Sequence, residues 1–473
     1  MPDDEIAESN ERSSLRPKQR VDDFKIKKVS RIKPTLELSS VRLKIKKPKK
    51  MPSRIYYLVA GLIVVLAILG IGLQNSKFFA AYNLARSLKN ENVMLGFQNS
   101  AELRPTGGFW GSFALWQINK NVQDSQILFE TNPYKNANQL LKETNIKSPK
   151  PIKETWPKTS QSFVNANWSF DFAAAAKTIG WFFGQGWDMQ SNGLIGVSSL
   201  AMIDLLKLTG PITTSDGATI SADNFTQIMS QKIDVDYWQN PENIKTNEPK
   251  TILKELAPQI LEKTKSISKY KLYKFAVDQM KKGRILCWFS DPKREKDCEK
   301  LGIDGSSASY SVDYLSVNNA NLAGGKSSLN VTQSFDYSVD NVNGSNQANL
   351  QITRAVNDQW PVGVNRNYTR VIAPLGATLT SVKLVGQDIT ALVDTVEELG
   401  KTTFGFWFTV GSNETKTTEL IYELPFGLKK SSDYNLVLQK QPGTLPDRLK
   451  IQFSGKILYE GTSDQNLVRV NPR

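Results

Sequence analysis

The chain has 473 residues, a formal net charge of +14 and no histidine. The missing imidazole excludes Ser-His-Asp and Cys-His catalysis, His-ligated zinc and histidine general bases. Any chemistry must therefore rest on carboxylates, lysine, arginine, tyrosine, hydroxyls or a metal held by oxygen ligands.

Residues 1–54 are rich in lysine and arginine, with Lys44, Lys46, Lys47, Lys49, Lys50 and Arg54 crowded before an apolar run, Ile55 to Leu73. No charge interrupts the chain between Arg54 and Lys77, a gap of about 22 residues that spans a hydrocarbon core of roughly 30 Å as a helix. Tyr56 and Tyr57 stand at one end and Phe78 and Phe79 at the other, where aromatic rings prefer the headgroup level. The pattern predicts a disordered basic cytoplasmic tail over 1–54 and a single transmembrane signal anchor over 55–74. A cleaved signal peptide does not carry so long a basic region. Basic residues beside a membrane fix topology and touch anionic lipid. The tail lacks a folded recognition element, so the expected partner is the lipid bilayer and not nucleic acid. The N-terminus is then cytoplasmic and residues 75–473 extracytoplasmic.

The outer part exceeds what one core usually holds, and its patterning divides it into 75–325 and 326–473. Phe78, Phe79, Tyr82, Leu84, Ala85 and Leu88 recur at helical spacing. Val93 to Phe97, Phe109 to Ile118 and Ser125 to Phe129 read as strands, and 131–163 as a surface loop or lid. Asp171 caps a helix carrying the stripe Phe172, Ala175, Ala176, Ile179 and Phe183. Gly193 to Val197 is a strand, Leu200 to Leu208 a helix ended by Gly210-Pro211. Residues 249–283 are mainly helical, and Ile285 to Phe289 returns as a strand. Strands alternating with helices predict an α/β domain of three layers. Beyond residue 325, β-rich runs from Val331 to Phe453 separated by turn residues predict an all-β sandwich.

Cys287 and Cys298 flank a charged loop, Trp288 to Asp297. In an oxidising compartment they would form a disulfide; otherwise they are two unpaired thiols. Two cysteines alone cannot enclose zinc.

Arg104-Pro-Thr-Gly-Gly108 is the leading candidate site. Pro105 fixes the backbone while Gly107 and Gly108 allow a close approach, so Arg104, Thr106 and the following amides could hold an anion. The competing reading is a structural turn with Arg104 paired to Glu102 or Asp171. Asp171 could ligate a metal or act as a base, against a helix cap. Asp234 and Asp236 could help bind a hard cation, against a solvated acidic loop. Trp110, Trp116, Trp168, Trp181 and Trp187 could form a carbohydrate-stacking surface, but their apolar neighbours favour core packing.

Glu102-Leu-Arg-Pro-Thr-Gly-Gly-Phe109, Asn167-Trp-Ser-Phe-Asp171, Leu206-Lys-Leu-Thr-Gly-Pro211, the run Asp313 to Lys326, and Tyr368-Thr-Arg-Val-Ile-Ala-Pro374 resemble the DUF 4012 family (domain of unknown function). That family occurs on bacterial proteins with an N-terminal membrane anchor, so the resemblance implies the bacterial cell envelope and leaves the activity open. Leu194 to Ile212 also resembles the strand-helix-turn of LytR-CpsA-Psr proteins, membrane-anchored α/β enzymes that transfer glycopolymers from a polyprenyl-pyrophosphate carrier to the cell wall. Those proteins carry an Arg-rich, Asp-containing stretch downstream. Here Thr219 to Lys250 holds Asp223, Asp234, Asp236 and three lysines but no arginine, and lysine lacks the bidentate fork.

The expectation is an extracytoplasmic envelope protein that binds or scaffolds surface polymers, with no cofactor. Two alternatives stand beside it. One is a phosphotransferase on lipid-linked glycans, with Arg104 gripping pyrophosphate and carboxylates holding Mg2+. The other is an adhesion module whose sandwich binds another protein.

Overall fold

The computed structural model describes residues 76–473 apart from 121–124, 131, 135–146, 158–161, 188, 247, 358–362, 429–430 and 473. The expected tail and anchor lie outside the described residues. Among the described residues no helix is long and apolar enough to cross a membrane.

The first region is α/β. Helix α1 (Ser76–Ser87) leads into strands β1 (Glu91–Asn99), β2 (Phe109–Ile118) and β3 (Gln126–Glu130). Short helix α2 (Lys150–Thr155), helix α3 (Phe172–Trp187), strand β4 (Gly193–Ser198) and helix α4 (Ser199–Thr209) follow. A small hairpin, β5 (Ile212–Thr213) with β6 (Thr219–Ile220), precedes helix α5 (Phe225–Ser230), a π-helical turn (Gln231–Asp236), and helices α6 (Ile252–Thr264) and α7 (Lys269–Lys281). Strand β7 (Ile285–Phe289) and helix α8 (Pro292–Leu301) close the region. The sheet runs β3-β2-β1-β4-β7 and is mixed, since β1 and β4 are parallel and the other pairs antiparallel.

Side chains alternate across a strand, and here both faces are buried. Val93, Leu95, Ala114 and Trp116 face a core that includes Ala80, Ala81 and Leu84 of α1 and Cys298 and Leu301 of α8. Met94, Phe113 and Leu115 face a second core with Phe172, Ala176, Ile179 and Phe183 of α3. Glycines in this sheet admit the large rings: an alanine Cβ at Gly96 would fall 1.7 Å from the Trp110 ring.

The segment between the cysteines is not a loop. Asp291 accepts from the amides of Lys293 and Arg294, Pro292 opens the helix, and Gly302 ends α8 in the left-handed conformation. Cys287 on β7 and Cys298 on α8 are joined by a disulfide.

The second region is largely β. It comprises β8 (Asp313–Asn321), β9 (Val331–Val342), β10 (Ser345–Val356), β11 (Asn365–Pro374), β12 (Thr378–Leu384), β13 (Gln387–Asp388), β14 (Asp394–Glu398), β15 (Lys401–Val410), β16 (Thr415–Glu423), β17 (Leu436–Gln439), β18 (Asp447–Phe453), β19 (Lys456–Ser463) and β20 (Leu467–Val470). One sheet runs β13-β12-β16-β10-β9-β18-β19 and the other β14-β15-β11-β8-β17-β20. Both are mixed, with β9 parallel to β18 and β8 parallel to β17. Tyr337, Leu350, Ile352 and Leu420 of the first sheet share one core with Val317, Val371, Phe404 and Phe406 of the second. Strand β8 lies on the N-terminal side of residue 325, yet it pairs with β11 and β17 and belongs to this region.

A carboxylate is buried beside that core. Asp313, fully buried, accepts from the Tyr337 and Tyr434 hydroxyls at 2.8 and 2.7 Å and from the Tyr314 amide at 2.7 Å. Among the described residues it has no ion-pair partner. Burial pushes the Asp313 carboxyl up to about 6, against the pull of those three donors. An unfolded aspartate stays ionised down to about pH 4, so between those two values the folded chain binds the extra proton. Stability from this group therefore rises as pH falls from about 6 to about 4, by on the order of 2–3 kcal/mol. Comparing denaturant unfolding of the native chain and Asp313→Asn across that window isolates the term. The native chain should gain stability relative to the variant on acidification; parallel curves would refute it.

Candidate functional site

Residues 103–108 pass between the two regions and are buried throughout. Arg104 is 5 % exposed. Its guanidinium donates to the Leu103 carbonyl at 3.1 Å and to the Asn321 carbonyl on β8, and its Cζ stands 5.1 Å from the centre of the Phe109 ring. The Arg104 carbonyl accepts from the Gln441 amide group at 3.1 Å and from the Gly107 amide at 2.8 Å, which closes the turn. Asn318 of β8 donates to the Pro105 carbonyl at 3.0 Å. The Asn321 amide donates to the Leu103 carbonyl at 3.0 Å.

Thr106 donates to Gln98 at 2.8 Å and accepts from Asn167 at 3.0 Å. Gly107 has φ +119° and sits against Pro442 and Gly443, where its carbonyl would lie 1.8 Å from any Cβ on Gly443. Its carbonyl also accepts from Ser100 at 2.9 Å. The Gly108 carbonyl accepts from Asn167 at 2.9 Å, and a Cβ there would fall 2.6 Å from the Asn99 carbonyl. Apart from the Arg104 Nε and Asn167 Oδ1, which are buried without a hydrogen-bond partner, these side-chain groups are engaged by bonds within the protein. The glycines are small because other backbone lies against them.

Asp171 is not paired with Arg104. It caps α3 by accepting from the Ala174 amide at 2.8 Å, and its second oxygen accepts from the Ser307 amide at 2.9 Å. Asp236 accepts from Gln231 at 2.7 Å, and Asp234 pairs with Lys326 at 2.6 Å. Both acidic residues lie on the π-helical turn, not on a loop. Among the described residues no group of three or more Cys, Asp or Glu is arranged to hold a metal ion. Trp110, Trp116 and Trp187 are core residues and Trp168 is half-buried under Arg370, whereas Trp181 is 44 % exposed.

A charged cluster adjoins the loop. Glu102 faces Lys326 at 3.1 Å, and the charges of Arg104 and Lys250 act on it as well. Lys326 joins it to Asp234. Lys250, preceding α6, donates to the Gly111 carbonyl and stands 5.6 Å from the centre of the Phe109 ring. Burial pushes the Lys250 amine down to about 8, with Lys326 adding to the effect and Glu102 and Asp234 opposing it. Those same cations hold the Glu102 carboxyl low despite its burial, which acts to raise it. Nothing in the sequence marks Lys250, because its setting depends on Gly111, 139 residues away.

Residues 89–233 match the model of a family described as a protein of unknown function, DUF4012. This segment is a DUF4012 domain. It includes the Arg104 loop, α3, β4 and α4, and it ends inside the π-helical turn, so Lys250 and Lys326 fall outside the matched residues.

No curated protein matches the chain. Similar solved structures include a candidate nutrient binding protein from Legionella pneumophila, at 9 % identity and TM-score 0.20, covering 30 % of this chain and 54 % of that one. An M1 zinc metallopeptidase from Deinococcus radiodurans shows 15 % identity and TM-score 0.16 over 28 % of this chain and 33 % of its own. A structural-genomics target from Streptococcus agalactiae shows 13 % identity and TM-score 0.29 over 47 % and 77 %. The chain thus spans about half of the first and a third of the second. Scores this low carry no argument about fold or activity.

Proposed function

We propose that the chain is a single-pass protein of the bacterial cell envelope, with its N-terminus cytoplasmic and its folded regions outside, where it binds or scaffolds surface polymers. The observation that carries this reading is the Cys287–Cys298 disulfide. Such bonds persist in oxidising compartments and are rare in reducing cytoplasm. The uncharged run Ile55–Leu73 behind a basic tail supports the same topology. On this reading the first region is a three-layer domain of the LytR-CpsA-Psr kind, which helices packed on both sheet faces support. The second is a β-sandwich, supported by the core its two sheets share.

A scaffold is favoured over a transferase by the state of Arg104. A phosphate-gripping arginine needs its guanidinium open to a ligand, and this one is buried and bonded to two carbonyls. The test is co-sedimentation of the purified full-length chain, in detergent, with isolated cell-wall polymer. Binding that saturates and persists when Arg104 is replaced by lysine is expected. Failure to sediment with any envelope fraction would overturn the polymer reading.

A further inference from the structure

Lys440 directly follows β17 in one sheet of the β region, and Asp464 directly follows β19 in the other. Lys440 is 4 % exposed. Its amine donates to the Thr444 carbonyl and hydroxyl at 2.8 and 2.6 Å, and it stands 3.6 Å from Asp464 Oδ1. That carboxylate oxygen is buried and accepts no hydrogen bond. The other oxygen, Oδ2, accepts from the Arg284 guanidinium at 2.7 Å, and the Lys282 amine lies 3.7 Å away. A third buried group, Asp447, opens β18. It accepts from Gln333 at 3.2 Å, and its charge bears on both Lys440 and Asp464.

We propose that Lys440 and Asp464 condense into an intramolecular isopeptide bond that staples the two sheets together. The Lys440 Nζ attacks the Asp464 Cγ, and a C–N bond forms. The bond from Cγ to Oδ1 breaks, and Oδ1 leaves as water with the two protons that the ammonium sheds. Asp447 carries protons from nitrogen to oxygen. Lysine ammonium and aspartate carboxylate thus become a neutral amide and water, and no oxidant, reductant or co-reactant is consumed.

Each group is placed for its part. Oδ1 has no donor holding it and is the oxygen that leaves. Oδ2 becomes the amide oxygen, and the Arg284 guanidinium already on it stabilises the negative charge of the tetrahedral intermediate. Holding amine and carboxylate together replaces a bimolecular encounter. Burial lowers the proton affinity of the Lys440 amine, with Arg284 adding to the effect and Asp447 and Asp464 opposing it. A desolvated lysine amine is the better nucleophile. Burial pushes the Asp447 carboxyl up to about 6, with Asp464 adding to the effect and Lys440, Gln333 and Arg354 opposing it. A group that exchanges protons near neutrality suits general acid–base transfer. Charges taken out of water are also costly to keep, and condensation replaces this pair with an uncharged amide.

The experiment is peptide mass spectrometry of the purified full-length chain, reduced and digested with trypsin, which does not cleave after an acylated lysine. The expected product is a branched peptide joining residues 431–448 to 457–469, lighter by one water than its two parts together. Complete cleavage after Lys440, with 457–469 released unlinked, overturns the bond. Asp447→Asn, checked as folded by circular dichroism, should lose most of the branched peptide. A native yield of branched peptide in that folded variant overturns the proton transfer assigned to Asp447. Should the variant not fold, the native digest alone decides. The bond is independent of polymer binding, which the co-sedimentation assay reads separately.

Discussion

Gly108→Ala lowers stability by about 4 kcal/mol or more, a loss reserved for overlaps that cannot relax. The added methyl would lie 2.6 Å from the Asn99 carbonyl and 2.8 Å from the Ser100 amide nitrogen, and both are backbone. Asn99 and Ser100 cannot yield, since they stand at the end of β1, and Ser100 bonds both Gly107 and Ser198. Arg104→Ala should cost somewhat less, about 2–4 kcal/mol, by leaving the Asn321 carbonyl short of a donor and a void beside Phe109. Gly180→Ala is the control. Gly180 is inside α3 with nothing within 4 Å of its added Cβ, so the change should stabilise by about 0.5–1 kcal/mol through helix propensity. Denaturant unfolding of the three variants checks the contrast. If Gly108→Ala were as stable as the native chain, residues 103–108 would not be packed backbone against backbone as described above.

The second large effect is the loss of the disulfide. Cys287 and Cys298 are 11 residues apart and at most 1 % exposed, and they clip α8 onto the sheet. Replacing both with alanine should cost about 2–4 kcal/mol, chiefly by freeing the unfolded chain in the chain-entropy view. The same double variant should become insensitive to reductant, whereas the native chain loses a comparable amount on reduction. A native chain whose unfolding midpoint ignores reductant would contradict this.

Much of the α/β order was legible because its strands and helices carry clear periodicity. Met94, Val93 and Leu95 alternate between two cores, as a strand buried on both faces must. The Asp171 cap could be read from one aspartate before an apolar stripe. Helix α8 was also legible in principle, for Asp291-Pro292 followed by Glu295 is a helix-start signal, but the dense charge of 293–300 disguised it as a loop.

Strand β8 was hidden for a different reason. Its Asn318, Asn319 and Asn321 are polar yet fully buried, so hydrophobic periodicity is silent. Their amides serve the Arg104 loop, Thr369 and Ser328, partners that only the fold brings near. The same limit applies to Lys250. Its chemistry comes from Gly111 and Phe109, and no spacing in the sequence announces it.

The proposed topology has a basic tail inside, an anchor at 55–74, and a disulfide-bearing body outside. The most direct test is protease treatment of intact spheroplasts expressing the full chain with an epitope at its N-terminus. Under this topology, residues beyond 74 are degraded from outside while the N-terminal epitope survives until the membrane is opened. Loss of the epitope with survival of the C-terminal regions, or protection of both, would contradict it.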